Sequence, residues 1–283
     1  MSQTLPRVKR PVLRYHGGKF QLRDWVISQF PPHAVYVEPY GGAASVLMGK
    51  PRAKAEIYND LDSTVVNVFR VLRDPEQALE LERLLRLTPF ARQEFDDCYI
   101  GGGADSPVEC ARRAIIQSFF GYGAGTVTRK DKTGFRCQQN DQSYAMPSQD
   151  WATYHDAIQS FTERLRGVTI EHCSALSVMQ RFDSPGTLHY VDPPYVRAVR
   201  GRAIRMDYRH EMSDDDHREL AEVLHRLQGM VILSGYPSDL YSELYGAGWT
   251  QRFRVTRNAQ SNKRTECLWL RGIDEGQLFN TNT

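Results

Sequence analysis

The feature that most constrains the fold is a change of texture along the chain. Near the start, strand and helix signals alternate closely. Val35-Tyr36-Val37 is a β-branched and aromatic run set between Pro31-Pro32 and the Pro39, Gly41-Gly42 turn. Ala43 to Met48 then begins a helix, and Ala55 to Tyr58 is a second strand ending at Asn59-Asp60. From Ser63 to about Arg166 helical spacing takes over, carried by Val66, Phe69, Val71 and Leu72 and then by Leu79, Leu81, Leu84 and Leu85. Alternation resumes with strands over Val168–Ile170, Thr187–Val191 and Met230–Leu233. Between the last two, Ser213 caps a helix bearing Leu220, Val223, Leu224 and Leu227 that stops by Gly229. Arg252–Thr256 and Glu266–Leu270 read as a closing antiparallel pair. This pattern predicts an α/β fold with a doubly wound, mostly parallel sheet built from residues 1–62 and 168–283. Residues 63–167 form a mostly helical insertion.

Inside the insertion, Asp105-Ser106-Pro107 starts a helix that runs to Phe120 and stops at Gly121. Gly121 to Gln149 is polar and without period, and segments of that length inside a domain are functional or disordered. A further amphipathic helix carries Tyr154, Ile158, Phe161 and Leu165 and ends at Gly167. The polar tail after Ile273 is expected to fray.

Composition excludes several classes. The 283 residues are 41% hydrophobic and 25% charged, ordinary for a globular protein. No apolar run approaches the roughly 20 residues that span a bilayer, and the basic N-terminus lacks the apolar stretch of a secretory signal. A cytoplasmic protein without membrane contact is the expectation. Cys98, Cys110, Cys137, Cys173 and Cys267 are scattered, form no CxxC and have no His at zinc-ligand spacing. They read as reduced thiols, mostly packing residues, and no metal is expected. The net charge of +2 neither demands nor excludes nucleic acid. Its distribution says more. Arg197, Arg200, Arg202, Arg205 and Arg209 crowd one segment, and Arg129, Lys130, Lys132 and Arg136 another. Either alone is as readily a solvated face; two clusters flanking a candidate active site point to phosphate contacts.

The strongest chemical signal is Tyr190-Val191-Asp192-Pro193-Pro194-Tyr195, where a strand delivers an acid, two prolines and an aromatic residue at its carboxyl end. Open α/β sheets place their active sites there. Prolines lack N–H donors and fix φ, so Asp192 and the Pro193 carbonyl are held as acceptors. That suits an exocyclic amine, whose lone pair is delocalised into its ring. Two acceptors binding its hydrogens favour a pyramidal nitrogen with the lone pair free to attack an electrophilic methyl group. Tyr195 offers a stacking face for a base taken out of its helix. Taken alone, the tetrapeptide also fits a Pro-rich turn with an incidental acid.

A second signal is Glu38-Pro39-Tyr40-Gly41-Gly42-Ala43-Ala44-Ser45, a glycine turn between strand and helix that lets backbone approach a ligand. It lacks the GxGxxG of dinucleotide enzymes and by itself is equally an ordinary tight turn. Asp60, after the second strand, stands where doubly wound folds place a carboxylate for ribose hydroxyls; Asp62 is a less well-placed competitor. A third element, Arg14-Tyr15-His16-Gly17-Gly18-Lys19, combines glycines with a lysine able to meet a carboxylate, or is a turn with a surface lysine.

Together and in this order, the three elements resemble the Dam-like (D12 class) DNA adenine N6-methyltransferases. Tyr15 to Lys19 is similar to that family's N-terminal cofactor motif, Glu38 to Ser45 to its Gly-rich motif, and Asp192 to Tyr195 to its catalytic tetrapeptide. The segment from Asp216-His217 to Leu224 and the run Val231 to Tyr236 are similar to its later helix and strand, so the resemblance spans about Leu13 to Leu270. Two positions depart: the family usually has Trp where Tyr15 stands and a second Gly where Ala44 stands. The texture resembles phage or prophage members.

The resemblance implies a Rossmann-like S-adenosylmethionine-dependent methyltransferase fold with a helical target-recognition insertion. It implies S-adenosyl-L-methionine held by Tyr15, Gly17, Gly18, Lys19, Glu38, Pro39, Gly41, Gly42, Asp60 and Asp192, and catalysis by Asp192, Pro193, Pro194 and Tyr195. Double-stranded DNA is the implied partner of a protein that is a monomer, or a dimer on DNA. Arg129, Lys130, Lys132, Arg136, Arg197, Arg200, Arg202 and Arg205 are the candidate DNA contacts. Phe119, Phe120 and Tyr122 are candidates to fill the place of a flipped base, although the two Phe read better as core. Methylation of cytosine N4 or of adenine in RNA, and a catalytically silent nucleic-acid-binding relative, are the competing readings.

Overall fold

The strands expected from the residue pattern all form, and they join in one sheet. A computed structural model describes residues 8–100, 106–123, 132–137, 146–199, 209–257 and 263–273. In chain order the strands are β1 (Val35–Glu38), β2 (Ala55–Asn59), β3 (Val168–Glu171), β4 (Thr187–Val191), β5 (Met230–Gly235), β6 (Thr250–Arg257) and β7 (Lys263–Arg271). They lie side by side as β3-β2-β1-β4-β5-β7-β6. The first five in that order are parallel, while β7 pairs antiparallel with both β5 and β6. All five residues of β4 are buried, as parallel strands covered on both faces must be.

The topology decides where a site can form. From β1 the chain moves outward to β2 and β3, then returns to set β4 on the other side of β1, with Val37 opposite His189. Connections leaving the carboxyl ends of β1 and β4 therefore diverge and leave a crevice between them. Glu38 and Asp192 sit at its two lips.

Helices α1 (Arg23–Ile27) and α2 (Ser45–Gly49) flank β1 in sequence. The insertion supplies α3 (Ser63–Arg73), α4 (Pro75–Leu87), α5 (Arg92–Asp97), α6 (Pro107–Phe120), α7 (Pro147–Ala152) and α8 (Ile158–Leu165). The last three are α9 (Ala175–Arg181), α10 (Asp214–Arg226) and α11 (Asp239–Leu244). Local chemistry sets the starts of the longer ones. Asp62, Asp74 and Ser106 each accept a backbone N–H of the first turn, Pro75 and Pro107 fill first-turn positions, and Ser213 forms a capping box with Asp216.

One apolar core runs from Tyr36, Leu188 and Leu268 of the sheet through Phe69, Leu81, Phe95, Ile115, Phe120, Trp151 and Phe161 of the insertion. It also takes in Val8, Val12 and Leu13, and Tyr154 donates its hydroxyl to the Val12 carbonyl at 2.6 Å. The insertion thus packs on the sheet instead of enclosing a core of its own. A second cluster covers the opposite face. Along β5 and β7, Leu233, Cys267 and Trp269 belong to it with α10 and α11, while the alternate residues Ile232, Leu268 and Leu270 face the first core.

Several expectations need correction. The helix expected from Ala43 begins at Ser45, because Ala44 takes left-handed backbone with φ of 51°. The helix expected to stop at Gly229 ends at Arg226. Gly229 is needed for another reason: a Cβ there would lie 2.6 Å from the Thr187 carbonyl of β4. The helix expected around Tyr154 starts at Ile158, after a 3-10 turn over His155–Ala157. The long segment expected over Gly121–Gln149 ends at Met146, since Pro147 opens α7. Within its described part, Gly121 bridges Phe135 and the Tyr122 amide donates to the Gly134 carbonyl at 2.7 Å. Helices α1, α5, α7, α9 and α11 span five to seven residues each, too few for a period to show. None of the five cysteines is in a disulfide, but Cys110 and Cys137 are exposed and so are not packing residues. The tail after residue 273 lies outside the described residues. Among those described, no helix is long and apolar enough to cross a membrane.

Candidate active site

The crevice between β1 and β4 is a cavity of about 290 Å³. Tyr15, Gly17, Gly18, Lys19, Glu38, Pro39, Gly41, Gly42, Asp60 and Asp192 all line it, although they come from four separate stretches of chain. Ser174, Ala175 and Leu176 at the start of α9, and Met212, Asp216 and Glu219 at and before α10, also line it. The sequence offered no signal for the α9 residues, which carry no distinctive chemistry.

The glycine turn is shaped by rings. A Cβ on Gly41 would lie 2.1 Å from the Tyr58 ring, and one on Gly42 would lie 2.8 Å from the Tyr15 ring. Gly42 also has φ of 46°, which favours glycine. These glycines therefore seat Tyr58 and Tyr15 against the turn, and the open backbone faces the cavity as a consequence. Asp60 fastens the same turn, accepting the Gly42 amide on one carboxylate oxygen and the Asp62 amide on the other, each at 2.8 Å. Burial raises its pKa, and those two amides work against the rise. Asp62, also in the cavity wall, caps α3 and pairs with Arg209 at 3.2 Å.

Glu38 is buried, and one of its oxygens accepts the Tyr36 hydroxyl at 2.7 Å and the Leu47 amide at 2.9 Å. Burial pushes its pKa up to about 8 against those hydrogen bonds, so near neutrality it is largely uncharged.

Asp192 stands just past β4 and receives Lys19 Nζ on both carboxylate oxygens, each at 2.8 Å. Lys19 is 5% exposed and also donates to the Gly17 carbonyl, so it is no surface lysine. Its ammonium lies 4.8 Å from the centre of the Tyr195 ring. The Tyr195 hydroxyl donates to Glu266 of β7 and lies 3.2 Å from Ser234 Oγ, which itself donates to the same Glu266 oxygen at 3.0 Å. Tyr236 meets the Tyr195 ring edge-on at 4.7 Å. Burial raises the pKa of Asp192, the Lys19 charge lowers it, Glu266 raises it again, and the result is about 6. Ser234 and Glu266 are absent from the residues expected to serve the site. The available signal was an acid opening the apolar run Cys267-Leu268-Trp269-Leu270.

The basic residues divide. Arg129, Lys130, Arg200, Arg202 and Arg205 lie outside the described residues. Arg197 is exposed in a single 3-10 turn over Arg197–Val199. Lys132 pairs with Asp96 at 2.8 Å, and Arg136 is half-buried beside the Gly121–Phe135 bridge. Arg209, counted with the arginine segment, pairs with Asp62, donates to Thr64 Oγ1 at 3.0 Å and lines the cavity. Phe119 and Phe120 are core residues, whereas Tyr122 is 68% exposed.

A family model for D12 class N6 adenine-specific DNA methyltransferases matches residues 15–99 and 126–259. The chain is 20% identical over 275 residues to a DNA adenine methylase of Haemophilus influenzae, covering 91% of this chain and 90% of that one. It is 25% identical over 270 residues to the DNA adenine methylases of Salmonella typhi and Salmonella typhimurium, covering 90% of this chain and 91% of each relative. The family model takes in all three motifs, in order, and most of the chain between and beyond them. This chain belongs to the D12 class of N6 adenine-specific DNA methyltransferases.

Proposed function

We propose that this enzyme transfers the methyl group of S-adenosyl-L-methionine to N6 of an adenine flipped out of duplex DNA. One observation carries the reading: Asp192 is held by Lys19 at the mouth of a cavity whose wall contains every residue expected to touch the methyl donor. The cavity suits that donor chemically. Acids Asp60, Asp62, Asp192, Glu211, Asp216 and Glu219 outnumber Lys19 and Arg209 in its wall, as a ligand with sulfonium and ammonium charges requires. Ser45 Oγ, in the same wall, is buried without a hydrogen-bond partner among the described residues and is available to the ligand. S-adenosylmethionine bound there supplies an electrophilic methyl group.

The chain's own residues do the rest. Asp192 and the Pro193 carbonyl accept the two N6 hydrogens and direct the nitrogen lone pair, while Pro194, in the cavity wall, keeps the acceptors rigid. A carboxylate retains unused lone pairs after one bond to lysine per oxygen, so Asp192 can accept from the base while paired. With a pKa of about 6 it can also take up and release the proton that N6 loses. Tyr195 stacks on the base with the ring face opposite Lys19. Positioning supplies much of the rate enhancement.

Residues 63–167 form the target-recognition region in this reading. Arg197, Arg200, Arg202 and Arg205, with Arg129, Lys130, Lys132 and Arg136, neutralise phosphates. Tyr122, exposed just past the end of α6, fills the space the flipped base leaves. The enzyme works where the DNA is, in the cytoplasm of a bacterial or phage-infected cell. Asp192→Ala is expected to abolish transfer of tritiated methyl groups to unmethylated duplex DNA, and near-normal transfer would overturn the proposal. Nucleoside analysis of the product by mass spectrometry should find N6-methyladenine and no N4-methylcytosine. Replacing Arg200 and Arg202 together with Ala should weaken DNA binding across all sequences and flatten its salt dependence.

A further inference from the structure

Glu266 is a buried carboxylate on the strand next to the edge of the sheet. It stands on β7 beside β5, 3% exposed, followed by the buried residues Cys267, Leu268, Trp269 and Leu270. An ionised acid in such a place costs several kcal/mol unless it is paired and hydrogen-bonded. Its partners therefore explain its presence. Oε1 accepts the Tyr195 hydroxyl, accepts Ser234 Oγ at 3.0 Å and lies 3.7 Å from Lys19 Nζ. Glu266 is not in the cavity wall, yet it holds the two side chains that, in the proposed reaction, face the target base and its acceptor.

We propose that Glu266 is a positioning residue for methyl transfer: it fixes the Tyr195 ring plane through the hydroxyl and shares Lys19 with Asp192. The inference rests on the reading of Asp192 to Tyr195 as the base pocket. Tyr195 follows two prolines in irregular backbone, so no helix or strand ladder sets its orientation. Two contacts do so instead: the edge-on packing of Tyr236 and the hydrogen bond to a charged acceptor. A flipped base stacks productively only on a ring already in plane, because the nitrogen must meet the methyl group within a narrow range of directions. Lys19 is the second channel. It lies between two acids, and the share of its charge that Glu266 takes sets how basic Asp192 is. The charged and titratable groups facing Asp192 are Lys19 from the segment before α1, Glu266 from β7, Tyr195 from its own loop, Tyr190 from β4 and Glu38 from β1.

The test is single-turnover methylation of unmethylated duplex DNA at saturating S-adenosylmethionine, with donor affinity measured by calorimetry. Glu266→Ala is expected to slow the turnover by about tenfold to a hundredfold, the worth of a hydrogen bond to a charged group, while donor affinity stays within about threefold. Tyr195→Phe removes the shared hydroxyl, so Glu266→Ala should cost clearly less in that background. Glu266→Gln keeps an acceptor for the hydroxyl but loses the charge. Its rate loss should be smaller, and the acid limb of its pH–rate profile should move to lower pH, because a charge that raises the Asp192 pKa is gone and Lys19 is released to Asp192. Additive effects of Glu266→Ala and Tyr195→Phe, together with an unmoved acid limb in Glu266→Gln, would overturn the proposal. If Glu266→Ala fails to fold, the near-isosteric Glu266→Gln decides alone: an unmoved limb with wild-type melting sinks the idea. Additivity alongside a dead Asp192→Ala would leave the base pocket standing and remove only Glu266, whereas an active Asp192→Ala would remove both.

Discussion

Two buried ion clusters in this molecule use the same ingredients to opposite ends. At the mouth of the cavity, Lys19 serves two acids, Asp192 at 2.8 Å and Glu266 at 3.7 Å. Behind the sheet's other half, Glu56 of β2 serves two cations, Lys50 at 2.7 Å and Arg164 of α8 at 2.6 Å. Burial raises the pKa of both acids. At Glu56 the hydrogen bonds and charge of Arg164, with Lys50, outweigh it and the net pKa falls. At Asp192 one lysine divided between two acids does not, and the pKa rises to about 6. The ratio of cations to acids therefore separates a locked carboxylate, which ties the helical insertion to the sheet, from one poised near neutrality. Geometry agrees, since Asp192 opens on the cavity and Glu56 does not line it.

The sharpest way to break this comparison is to remove each acid in turn. Asp192→Ala should lower methyl transfer by roughly a thousandfold or more, measured under single turnover, with little loss of stability. Glu56→Ala should do the reverse. It leaves two cations buried together, which costs about 3–5 kcal/mol in denaturant unfolding, while the turnover of the protein that remains folded stays close to wild type. Equal losses of stability in the two variants would dissolve the distinction between poised and locked.

The pH dependence of the wild type should also separate the clusters. Activity should fall as pH drops through about 6, because in the proposed mechanism Asp192 accepts the N6 hydrogens as a carboxylate. Stability moves the other way. A carboxyl whose folded pKa is raised favours the folded state at low pH and loses that contribution as pH rises through about 6. Glu56, with its lowered folded pKa, contributes stability above the ordinary carboxylate range and loses it only as pH falls through that lowered value. Lys19→Met should move the activity limb upward by about one unit, opposite to the shift expected for Glu266→Gln. A limb that stays in place in Lys19→Met would mean that Lys19 does not govern Asp192.

The smallest effect belongs to a pair outside both clusters. Lys132 and Asp96 meet at 2.8 Å in the open, and Asp96→Ala should change stability by less than about 1 kcal/mol. Freed of its partner, Lys132 should tighten DNA binding slightly and steepen its salt dependence, a change readable in a filter-binding titration.

How much of this was legible depends on the range over which the information acts. The β4 strand and its Asp192-Pro193-Pro194-Tyr195 end were plain, because a buried strand closed by two prolines is a local pattern. The glycine turn was also plain, although its cause was not. Gly41 and Gly42 make room for Tyr58 and Tyr15, residues on other stretches of chain. Ala44 stands where the family usually has glycine, and it does hold the left-handed backbone for which glycine is better suited. Arg209 read as one more cation in a basic run, but pairing with Asp62 removes it from the pool of free charges.

Sequence alone determined the strands, the interrupted α/β plan, the three motifs and their order, because spacing along the chain sets each of them. Tertiary structure alone decided which charges face each other. Lys19 and Asp192 are 173 positions apart and Tyr195 and Glu266 are 71 apart. Those distances close only because β4, β5 and β7 lie side by side in the sheet and the segment before α1 folds over their ends. Once they close, burial removes the water that would screen the charges, and one lysine between two acids sets the chemistry of the corner.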